Sequence, residues 1–170
     1  MDVSTRSSIV VVLCGYAILL YIWVLLPFYF YTPTRSFELP TLLWFIHLIT
    51  LYIHEAGHFF FRVFGRTIYF LGGSIMQVLV PVVWIVVAVR EKSRLAPVAL
   101  FFTGESLVDV SVYVKDAGPR VLPLLGGHHV FHDWATVLGQ WDMIDWEGPL
   151  GTDMFFVGWI ASLSGIAWGV

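Results

Sequence analysis

Runs of apolar residues recur along this chain at a length that suits bilayer crossings, each of which needs about 20 such residues. The first, residues 8–31, contains no charge. It is too long for the apolar region of a signal peptide and no small-residue cleavage site follows it, so it reads as a retained span behind a polar lead with one arginine, Arg6. A linker with Pro33 and Pro40 cannot continue the helix. Further runs follow at residues 41–64, 69–89, 95–114 and 150–170. The pattern predicts an all-α, polytopic integral membrane protein of about five transmembrane helices, folded as a single transmembrane domain over residues 1–170.

Residues 115–147 form a polar segment before the last run. Within it, residues 133–144 place their apolar positions near helical spacing but are too short to cross. Trp134, Trp141 and the nearby Trp146 suit the headgroup zone, so a short interfacial or re-entrant helix is expected here. Gly158, Ser162, Gly165 and Gly169 give the last run a small-residue face that permits close helix packing, within the chain or against a partner. Pro81 is expected to kink the third run. With five crossings, Arg6, Arg62, Arg66, Lys115 and Arg120 share one side and Arg35, Arg90, Lys92 and Arg94 the other, too even a split to orient the chain.

Composition agrees with this pattern. Of 170 residues 58% are hydrophobic and 12% charged, where a soluble domain carries about 25% charged residues. That excludes an ordinary globular enzyme or a disordered tail. A net charge of -3 with no basic run excludes nucleic acid as a partner and leaves the lipid bilayer. The single cysteine, Cys14, excludes a disulfide framework or thiolate cluster and reads as a small packed residue.

The remaining polarity carries the chemistry. His54-Glu55-Ala56-Gly57-His58 is an HExxH motif inside the second run. On a helix, positions i and i+4 share a face, so two imidazoles can grip one cation, with the glutamate beside them to take a proton from water at the metal. Neutral imidazole suits Zn2+, and a catalytic zinc takes three protein ligands and leaves a fourth position for water. Ionisable residues inside a span are costly, and a cation is their simplest partner. His47, about 10 Å deeper on the same face, reads as a hydrogen-bonded interior histidine. Haem ligation by His47 or His54 would commonly require a histidine from a second helix, and no other span has one.

Other polar residues should converge on the same membrane side. Gly72, Gly73, Ser74 and Gln77 begin the third run, and Glu105, Asp109 and Asp116 end the fourth. The acids could face the metal, orient the histidines or form interhelical hydrogen bonds. Asp116 is expected near the interface, solvated or capping. Gly72-Gly73 could admit a substrate with Ser74 or Gln77 contacting it, or simply pack helices closely.

A membrane-embedded HExxH followed by further spans resembles the site-2 protease family of intramembrane zinc metallopeptidases. HEAGH, LGGSIMQVLVP (residues 71–81), SVYVKDA (111–117) and HDW (132–134) also resemble stretches of small bacterial membrane proteins of metallopeptidase type. The resemblance implies a metallopeptidase-like core over residues 41–134 and location in a bacterial inner membrane. It implies Glu55 as the catalytic residue, and His54 and His58 as zinc ligands. It also implies a third ligand from an aspartate after the core helices. The family's Asp-Gly motif is absent here. Asp133 takes the third place, since it follows the core spans and starts a helix-like segment; His132 and Asp109 are its rivals. His128 and His129 read as loop histidines. The expected activity is hydrolysis of peptide bonds in membrane-associated proteins. The alternative is a non-catalytic, peptidase-like accessory subunit of a larger membrane protein complex, motivated by the small-residue face and the missing motif.

Overall fold

A computed structural model describes residues 3–125 and 131–170, with side chains from residue 9 onward. The architecture is all-helical, with no strand among the described residues. α1 spans Val3–Phe30, α2 Thr41–Phe61, α3 Arg66–Arg90, α4 Ala96–Lys115, α5 Asp133–Gln140 and α6 Glu147–Gly169. Short 3-10 turns follow α2 and precede α6.

Local chemistry sets these limits. α1 ends before Pro33, and Pro40 caps α2 in an extended conformation. Gly65, at φ 94°, makes the reversal between α2 and α3, a conformation costly for other residues. Pro97 occupies the first turn of α4, where its missing N–H is not needed. Helical structure continues through Pro27 in α1 and Pro81 in α3.

Among the described residues, four helical segments are long and apolar enough to cross a bilayer: those in α1, α3 and α4, and the α6 segment from Ile144. The expectation of about five crossings is met only to that extent. α2 has the length, but His47, His54, Glu55 and His58 dilute its apolarity. The outward faces of α1, α3 and α6 expose Val11, Val89 and Val157 among many apolar side chains, a surface suited to hydrocarbon rather than water. Cys14 is exposed on α1, not packed as its apolar surroundings suggested.

α4 is the central helix. Its apolar window is 72% buried, against 17% for α1 and 33% for α3 and α6. α6 lies along it so closely that a Cβ at Gly151, Gly158 or Gly165 would strike α4, and one at Gly104 would strike α6. These α6 glycines recur every seven residues, so one seam meets α4 along its length. The small-residue face is therefore used within the chain, and Gly169 closes against Tyr16 of α1. Trp23 of α1 and Trp159 of α6 stack at 4.4 Å, each ring N–H donating to the other's carbonyl at 3.0 and 3.4 Å. Lys115 donates to the Tyr31 carbonyl at 2.9 Å and sits over the Tyr31 ring.

Candidate metal centre

The site is built where α2, α3 and α5 meet beside α4. α2 and α3 pack antiparallel through glycine: a Cβ at Gly57 would strike the Gly72 backbone, and one at Gly73 would strike the His54 imidazole. The Gly72-Gly73 pair thus serves close packing, and Gly73 makes room for the ring. This approach sets α3 groups against both histidines. His54 Nδ1–H donates to Gln77 Oε1 at 3.2 Å, and His58 Nδ1–H donates to the Tyr69 carbonyl at 2.8 Å. Each proton is drawn to Nδ1, which leaves each Nε2 with a bare lone pair.

Both bare nitrogens face one carboxylate oxygen. Asp133 Oδ2 lies 3.2 Å from His54 Nε2 and 3.1 Å from His58 Nε2. Asp133 opens α5, where an acid favours the helix N-terminus. His132 caps that helix by accepting the Ala135 N–H on Nδ1, so its proton resides on Nε2 and is donated to Asp116 at 3.3 Å. Trp134 ties the same turn to α3 by donating to Ser74 Oγ at 3.0 Å.

His54, His58 and Asp133 each offer one ligand atom, all within 4.8 Å of one another. Three electron-pair donors in that arrangement call for a cation. For a tetrahedral zinc with bonds of about 2.0–2.1 Å, ligand atoms stand about 3.3 Å apart. The 3.1 and 3.2 Å separations at Asp133 match that spacing, and the three atoms together lie within 4.8 Å.

The rivals for the third place are engaged elsewhere. His132 has one nitrogen capping α5 and the other on Asp116. Asp109 Oδ1 accepts from His47 Nδ1 at 2.9 Å, and its Oδ2 lies 2.7 Å from Gln77 Nε2 and 2.9 Å from the Thr50 hydroxyl. His47 is the hydrogen-bonded interior histidine that its depth suggested. Glu105 is buried, with neither carboxyl oxygen hydrogen-bonded among the described residues. Asp116 is not solvated: it is fully buried and accepts the Val121 and Leu122 N–H groups at 2.8 and 3.1 Å, which organises the chain beyond α4. His128 and His129 lie outside the described residues.

Glu55 is exposed on α2 and lines the same cavity as the three ligand candidates. That cavity measures about 360 Å³, and Phe70, Tyr113, Leu124 and Phe131 complete its apolar walls. An acid, a cation-ready triad and an apolar pocket thus share one space. Comparison with known proteins returns no matching family model, curated protein or solved structure.

Proposed function

We propose that the chain is a zinc-dependent peptidase acting on membrane-associated polypeptides, with His54, His58 and Asp133 holding the metal. The observation that carries this reading is the outward tethering of both Nδ1–H groups, which turns two bare Nε2 atoms toward one carboxylate oxygen. Bound there, zinc would supply acidified water and a polarised scissile carbonyl. Glu55 would take the proton from the attacking water and return it to the leaving amine nitrogen. The apolar walls would hold the substrate backbone and exclude bulk water. A substrate helix must unwind locally to enter, because its carbonyls are otherwise hydrogen-bonded. The resemblance to bacterial intramembrane metallopeptidases points to the inner membrane as the location.

The test compares wild type with Glu55→Gln on a panel of single-span membrane polypeptides in detergent. Both proteins should hold zinc, and only wild type should cleave. Equal cleavage by Glu55→Gln would refute the role of Glu55. A zinc-bound wild type that copurifies with stoichiometric membrane partners and cleaves none of the panel would favour the accessory-subunit reading.

A further inference from the structure

A chain of polar groups runs from the site into α4, and Glu55 chemistry makes no use of it. Asp109 lies two hydrogen bonds from His54, with Gln77 between them. As a carboxylate, Asp109 can only accept, so at 2.7 Å it fixes Gln77 with its N–H2 group inward. The Gln77 carbonyl oxygen must then face His54. A carbonyl oxygen likewise only accepts, so His54 must carry its proton on Nδ1 and present a bare Nε2 to Asp133. His47 Nδ1–H holds the second carboxylate oxygen at 2.9 Å. The Thr50 hydroxyl lies 2.9 Å from both Asp109 Oδ2 and the His47 carbonyl, with one proton to share. Gln77 is 2% exposed and Asp109 1%, so both sit at the inner wall of the cavity with little surface open to water.

We infer that Gln77 and Asp109 are positioning residues: through one amide, a carboxylate in the packed interior decides which nitrogen of His54 is offered to the metal. The inference rests on the metal-site reading for its consequence, though not for the state of the histidine. His58 is set differently, by a backbone carbonyl that no side-chain substitution removes. The pair is therefore unequal, and the affinity of the site is adjustable at His54.

The test exchanges the two roles. In the double variant Asp109→Asn with Gln77→Glu, residue 77 becomes acceptor-only and holds the His54 Nδ1–H, while the new amide at 109 donates to it and still accepts from His47. Gln77→Met removes the acceptor, and Asp109→Leu removes the group that orients the amide. Zinc affinity is read by competition with a chromophoric chelator. The His54 tautomer is read by 15N NMR of zinc-free, 15N-histidine-labelled full-length protein in detergent. Gln77→Met should weaken zinc binding by about 10–100-fold, Asp109→Leu should scramble the tautomer, and the double variant should return both to wild-type behaviour. A double variant that binds no more tightly than Gln77→Met, or a zinc-free wild type protonated on His54 Nε2, would overturn the inference. A wild type held in the Nδ1–H form that loses it in Gln77→Met, yet binds no zinc, would support the inference and refute the metal site. The swap keeps the test decisive if Gln77→Met fails to fold.

Discussion

Asp133 Oδ2 and His54 Nε2 lie 3.2 Å apart although 79 residues separate them in the chain. The contact depends on two independent anchors. Glycine contacts bring α3 against α2 and seat His54, while the His132 cap and the Trp134–Ser74 hydrogen bond seat Asp133. The two anchors share no residue, so each can be broken separately.

The space beneath His54 is the first target. A Cβ at Gly73 would meet three atoms of the imidazole ring, and nothing in the helix itself requires glycine there. Gly73→Ala should displace the ring and weaken zinc binding by more than about tenfold, in line with the loss of an orienting contact. Gly139→Ala, with no atom near its new Cβ, should leave zinc affinity unchanged and raise stability by about 0.5–1 kcal/mol. Chelator competition and thermal unfolding in detergent check the pair.

The cap of α5 separates a ligand from a support. His132→Ala removes the N-cap and the Asp116 contact and should cost about 0.5–2 kcal/mol. His132→Ser replaces the cap with a preferred residue and should recover much of that loss. His132→Ala should bind zinc more weakly, because the cap that seats Asp133 is lost, while His132→Ser should keep wild-type zinc stoichiometry; its loss in the serine variant would make His132 a ligand.

The α4–α6 seam should tolerate no added bulk. Gly158→Val would drive a branched side chain into Gly104, Leu107 and Val108, an overpacking that costs about 1–3 kcal/mol or more. Val157→Ala, beside it on an exposed face, should shift unfolding by less than about 0.5 kcal/mol. Similar unfolding midpoints for the two variants would contradict the seam.

Much of this was legible along the chain, for reasons that differ by residue. The apolar runs begin and end within a few residues of α1 to α4 and α6, because a bilayer crossing needs a continuous run and proline, glycine or charge marks its limits. His54 and His58 were readable because a four-residue spacing already places them on one face. Asp133 was readable as a candidate because it opens a helix after the core spans. Tyr69 was not, since its contribution is a backbone carbonyl that any residue supplies. Gln77 and Asp109 were visible as costly polar residues, but their link appears only once α3 and α4 lie side by side. Gly151 completes the α6 seam at a position where glycine alone carried no signal.

The zinc content of purified wild type, His54→Ala and Asp133→Ala addresses the central claim most directly. With all three held in the same detergent and dialysed against trace zinc, wild type should retain about one zinc per chain. The two variants, still folded by circular dichroism, should each retain less than about a tenth of that. A metal-free wild type, or an Asp133→Ala protein as fully loaded as wild type, would contradict a His54–His58–Asp133 metal centre.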